Sequence, residues 1–305
     1  MSEMGIEKVD NSNGAVISEP DAASAYVEGL SMAPEGADSG KMRIREIGPP
    51  MRLIYGDMVG VFFLCWIPMM VGFFFPWSLI IPNTRLFDEL TLHQLAFASL
   101  IAIFPWIVLI LHLWRGRLWD GILDMLLWAL WECIIVLILC YLYPDQSKDL
   151  IFKAGSYWSE MKDWLVSGEG PEGSPIIWLP IHAKHLATLI IGAFVLGLPA
   201  LIMGVLQLNY MNFYVANVVE HSNNPLLTLA VAWHFWSIFR VIGFIVIASA
   251  IFQLFMGWVI RRPMLKAWVV SALITGVVFI ILDGVCKWLY AENVRISLNT
   301  LTSIH

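Results

Sequence analysis

The chain has 305 residues, of which 59% are hydrophobic and only 14% charged. A soluble domain is roughly 45–50% apolar and about 25% charged, so this balance excludes a soluble globular domain, a disordered chain and a nucleic-acid-binding module. The formal net charge of −6 is local: residues 1–40 hold eight acids and one base, and the rest carry 17 Lys and Arg against 16 Asp and Glu.

Residues 1–50 read as an acidic, disordered tail, because so few large apolar side chains cannot offset the entropy of ordering. No basic start is followed at once by a short apolar stretch, so no cleavable signal is expected. A basic cluster of Lys41, Arg43, Arg45 and Arg52 stands directly before the first long apolar run. By the positive-inside rule it places the N-terminus on the cytoplasmic side.

Crossing a bilayer takes about 20 mainly apolar residues. The pattern predicts an all-α integral membrane protein with five or six transmembrane helices, at 54–75, 92–114, 119–143, 184–207, 226–259 and 266–288. Three of these fall within 51–144 and three within 181–290. Pro105 inside the second is tolerated, since neighbouring helices re-satisfy the backbone. The short basic turn Arg115–Gly116–Arg117 joins the second and third.

Residues 145–180 form an extramembrane loop with one amphipathic helix. Leu150, Ile151, Ala154, Tyr157, Trp158, Met161, Trp164 and Leu165 recur at helical spacing, with charged residues opposite. Such a helix is expected to lie in the membrane interface. The run 186–217 is interrupted by Gly192, Gly197, Pro199 and Gly204. It supports either one kinked span or a broken, re-entrant helix. The two readings put Arg261, Arg262 and Lys266 on opposite sides. Residues 291–305 read as a short C-terminal tail.

An ionisable residue inside a span costs roughly 2.5–3.5 kcal/mol on insertion scales, which makes it a candidate for pairing or function. Glu132, His234, Arg240 and Asp283 are such residues. Arg240 and Asp283 lie at similar depth on consecutive antiparallel spans, so a structural ion pair is expected. Glu132 has no partner nearby in sequence. It reads either as a protonated hydrogen-bonding group or as the catalytic carboxylate of a proton relay or an ion site. Cys65, Cys133, Cys140 and Cys286 lie within or at the ends of apolar segments and read as packing residues.

The histidines segregate toward the two leaflets. A dihaem membrane cytochrome takes one imidazole from each of two helices per haem. His93 with His185 is the candidate pair for an outer haem b, and His112 with His234 for an inner one. Purely structural histidines are the alternative. His182 and His185, three apart, either hold a metal or are solvated. No P-loop, GxGxxG, GxSxG, HExxH or CxxC occurs, which leaves soluble-type nucleotide or hydrolase chemistry without support. Three functions remain open. One is a haem b- or quinone-associated redox subunit of a respiratory-type complex, acting in electron transport. The second is a transporter or channel using Glu132, Arg240 and Asp283. The third is a non-catalytic subunit or assembly protein. The expected partners are the lipid bilayer and other membrane subunits, with no nucleic acid.

Overall fold

The structure, a computed structural model, describes residues 53–81, 84–87, 90–170, 172–262 and 264–304. The acidic tail and its basic cluster lie outside them. In chain order the helices are α1 (Leu53–Phe74), α2 (Trp77–Ile80), α3 (Leu92–Trp114), α4 (Leu118–Leu142), α5 (Pro144–Leu150) and α6 (Ala154–Ser167). They continue with α7 (Pro175–Phe194), α8 (Leu198–Glu220), α9 (Pro225–Ala232), α10 (Phe235–Trp258) and α11 (Lys266–Leu301). A two-stranded antiparallel ribbon, β1 (Arg85–Phe87) and β2 (Leu90–Thr91), precedes α3. Gln94 fixes the start of α3 by accepting a hydrogen bond from the Thr91 N–H at 3.1 Å, one half of a capping box.

Five helices, α3, α4, α7, α10 and α11, are long and apolar enough to cross a membrane, and Val59–Phe74 of α1 is a shorter apolar helix. This is the build of a multi-pass membrane protein. The interrupted run near 186–217 is not the single kinked span at 184–207 but follows the alternative of a broken helix that reverses. Two antiparallel helices, α7 and α8, meet at a tight turn where Leu196 and Gly197 have φ of 62° and 75°. Leu196 takes the left-handed backbone that favours glycine, while Pro199 sits in the first turn of α8, where its fixed φ suits a helix start. The two helices approach closely at Gly192, where an added Cβ would lie 2.7 Å from the Ala200 backbone nitrogen.

α8 packs against α3, α4, α6, α7 and α9. Surrounded by protein, it carries the buried polar side chains Asn209 and Asn212, which a lipid-facing helix would not tolerate. The span expected at 226–259 is also divided. It breaks at Trp233–His234 into α9 and α10, and Asn224 caps α9 by accepting from the Leu227 N–H at 3.4 Å. α11 is one unbroken helix of 36 residues, so residues 291–301, read above as tail, are helical.

The connecting turns gather at two ends. At one, the Arg262 guanidinium lies 3.2 Å from the centre of the Trp114 ring, and Phe194 beside the α7–α8 turn meets Phe255 of α10. At the other, α6 buries Met161, Trp164 and Leu165 in a cluster with Tyr214, Val215 and Val218 of α8 and Leu298 of α11. The 221–223 loop is tied there to the end of α11. Asn223 N–H donates to the Leu301 carbonyl and Ser303 N–H to the His221 carbonyl, each at 3.0 Å.

Candidate functional site

A cavity of about 350 Å³ lies among α7, α8 and α10, with α3, α4 and α6 contributing to its wall. Its lining changes along its length. One end has Lys153, Tyr157, Glu160, Glu172, His182, Lys184, His185, Tyr210 and Arg240, and the other has Leu189, Ala193, Gly197, Ala200, Phe244 and Phe252. α7 and α10 run from the polar end to the apolar end, and α8 returns. From Arg240 to Phe252 the helix rises about 18 Å at about 1.5 Å per residue. At the apolar end the α7–α8 turn packs close against α10: a Cβ added at Gly197 would meet the Phe252 ring at 2.6 Å. At Gly204, by contrast, an added Cβ would meet nothing within 4 Å.

The polar end is built on two buried ion pairs. Arg240 donates from Nε to Asp283 Oδ2 at 2.9 Å and from Nη2 to Oδ1 at 3.0 Å. This bidentate geometry fixes both side chains. His182 Nδ1 lies 3.7 Å from Asp283 Oδ2, and the His182 and His185 rings stack at 6.5 Å. One helical turn beyond Asp283, Lys287 Nζ lies 2.9 Å from Glu172 Oε2 and 5.0 Å from the Trp178 ring centre. Lys287 is 0% exposed and Glu172 is 6%. Burial by itself would push the Glu172 carboxyl up, but Lys287, Arg240 and His234 outweigh it and hold the group down at about 2. Lys153, which lines the polar end, adopts φ 57°, an uncommon backbone conformation for a residue other than Gly, Asn or Asp.

The other sequence candidates are placed apart. His112 Nε2 lies 2.8 Å from Asp124 Oδ2. His234 lies 3.3 Å from the Tyr214 hydroxyl and stacks on Trp236, so Trp236 covers an imidazole. His93 contacts the Asp149 carbonyl at 3.3 Å. Of His93, His112, His185 and His234, only His185 lines the large cavity. Among the described residues no group of three or more His, Cys, Asp or Glu is placed to hold a metal ion. Glu132 is 0% exposed, and neither of its carboxyl oxygens has a hydrogen-bond partner among the described residues. It does not line the cavity, nor does Asp283.

Glu172, Lys287 and Tyr210 belong to this region and were not singled out from sequence. A signal for Lys287 was present, since it lies four residues after Asp283 and shares its helix face. Glu172 sits in the polar stretch 168–175, which carries no such signal. Compared with protein-family models, with curated proteins and with solved structures, the chain matches none.

Proposed function

We propose that this membrane protein binds one amphiphilic, lipid-like molecule. Its chain lies between α7, α8 and α10, and its polar head sits at the Arg240–His182–His185 end. The observation that carries this reading is the cavity's gradient, from charged and histidine side chains to an apolar end over roughly a hydrocarbon chain's length. Ligand cavities of this kind are mostly apolar, with a few placed polar groups that fix orientation. The ion pairs hold Arg240 and Asp283 rigid, so the head meets pre-set groups.

Within this reading the ligand class decides among the wider functions. Tyr157, Tyr210, His182 and His185 line the head region and are groups able to donate protons, which suits an isoprenoid quinone and the electron-transport role. The transport role draws on Arg240 facing the cavity. A bis-histidine haem b draws less support, because His112 and His234 are engaged elsewhere. A purely structural subunit does not call for such a cavity.

The test is solvent extraction of the purified protein followed by mass spectrometry of the extract. One amphiphile is expected in near-stoichiometric amount. Gly204→Phe, which grows into open cavity space, should abolish it while the protein stays folded. A wild-type protein that carries no amphiphile, and takes none up when it is supplied, sinks the reading. A quinone in the extract favours electron transport, and a visible absorption spectrum reports haem b.

A further inference from the structure

The polar end of the cavity is also where it reaches the surface. Among the described residues that line the cavity, only Lys153, Glu160, Ile181 and Lys184 are exposed. Lys153 and Glu160 belong to the cap and body of α6, and Ile181 and Lys184 to α7. The opening therefore lies between these two helices, which each pack on α8 but hardly on each other.

The charges at this end do not cancel. Arg240 is matched by Asp283, and Glu172 by Lys287. That leaves Lys153 and Lys184 against Glu160 in the lining, and neither lysine is in an ion pair among the described residues. Lys184 is the more demanding. It lies about 14 Å along α7 from Pro175 at the usual helical rise, in a helix long and apolar enough to cross a membrane, where an unanswered charge is expensive. Lys153, Lys184 and Arg240 all act electrostatically on the His185 ring, so three cations surround one place. Arg240 is only partly engaged. Asp283 takes one N–H from Nε and one from Nη2, of the five that a guanidinium carries. Lys153 also caps the N-terminus of α6, whose dipole adds positive potential on the same side.

We infer that the head of the bound amphiphile is a phosphate ester with one net negative charge, held by Lys153, Lys184 and Arg240. This rests on the amphiphile reading and narrows it, because an uncharged quinone head would leave Lys184 unanswered. A single negative charge matches the excess of one cation in the lining. The spread of donors favours phosphate over carboxylate. Lys153 precedes α6, Lys184 and His185 lie on α7, Tyr210 on α8 and Arg240 on α10. A phosphodiester offers oxygens on all sides to such a ring, where a carboxylate offers one edge, and arginine is favoured where phosphate is recognised.

The experiment uses the full-length protein, stripped of bound lipid, in an uncharged detergent. Native mass spectrometry reads one-to-one occupancy. The probes share one oleoyl chain: lysophosphatidylglycerol carries a net negative charge, lysophosphatidylcholine carries none, monoolein has no phosphate, and oleate has a carboxylate. Lysophosphatidylglycerol should reach half-occupancy at about a tenth of the mole fraction that the others need, as expected for charge-assisted hydrogen bonds. The double variant Lys153→Gln, Lys184→Gln removes two exposed side chains. It should lose that preference and bind monoolein as the wild type does. Gly204→Phe, which fills the chain space, should remove saturable occupancy by every probe. If monoolein, lysophosphatidylcholine or oleate binds as tightly as lysophosphatidylglycerol, or the double variant keeps the preference, the anionic phosphate head is overturned and the amphiphile reading stands. If no probe gives occupancy that Gly204→Phe removes, both fall. A melting temperature raised by inorganic phosphate alone would then mark a site for the free anion.

Discussion

At the residue scale, Glu172 and Lys287 are the costliest pair to place. Both are buried, and a buried pair broken on one side leaves an uncompensated charge worth about 3–5 kcal/mol. Glu172 has its carboxyl held at about 2, below its ordinary 4.5. A group depressed on folding adds stability above its unfolded value and loses it as pH falls through the folded one. The wild-type melting temperature should therefore hold steady above pH about 4.5 and drop progressively toward pH about 2. Glu172→Gln should melt lower at neutral pH and change little across that window. A variant with the same acid-side fall as the wild type would show that another group is responsible. The proximity of Arg240 and Asp283 was legible because both depths count from one short turn. Glu172 was not, since its partner lies 115 residues away in sequence and local spacing says nothing about so distant a contact.

At the element scale, the α7–α8 hairpin separates two kinds of glycine. At Gly192 a Cβ would press on the backbone of Ala200 and Pro199 at 2.7 to 3.1 Å, and backbone cannot move aside cheaply. Gly192→Ala should cost about 1–3 kcal/mol as overpacking. Gly204 faces open space in mid-helix, so Gly204→Ala should be neutral or stabilising by about 0.4–1 kcal/mol. Thermal melting of the two variants checks this, and equal shifts would contradict the close approach. The spans near 92–114 and 119–143 were readable because hydrophobic runs with clear ends bracket the Arg115–Arg117 turn. The reversal between α7 and α8 was one of the two readings of the Gly- and Pro-interrupted run, but the sequence did not choose between them. The turn residues, Val195 and Leu196, are as apolar as the helices they join, and composition therefore hides the reversal.

At the scale of the whole molecule, returning α8 to the α6 end changes the parity of all that follows. The turns at 115–117 and 259–265 then share one end, and 143–174 and 221–234 share the other. Arg115, Arg117, Arg261, Arg262 and Lys266 cluster at the first end, and the positive-inside rule predicts that this end faces the cytoplasm. Single cysteines at Gly116 and Ile260, in a background with the four native cysteines replaced, should be labelled by a membrane-impermeant maleimide from one side of the membrane. A cysteine at Glu169 should be labelled from the opposite side. Labelling of Gly116→Cys and Ile260→Cys from opposite faces would restore the single kinked span.

The length of α11 has a mechanical consequence. Thirty-six unbroken residues extend about 54 Å at about 1.5 Å per residue, well beyond a hydrocarbon core of about 30 Å. The helix is gripped by Arg240 at Asp283, and 18 residues later its end is fastened to the 221–223 loop. Between those two points it is held as well, by the buried Lys287–Glu172 pair and by Arg295 and Asn299 donating to the Leu165 carbonyl of α6. A displacement of α11 at Arg240 would therefore carry α6 and the 221–223 loop with it as one unit.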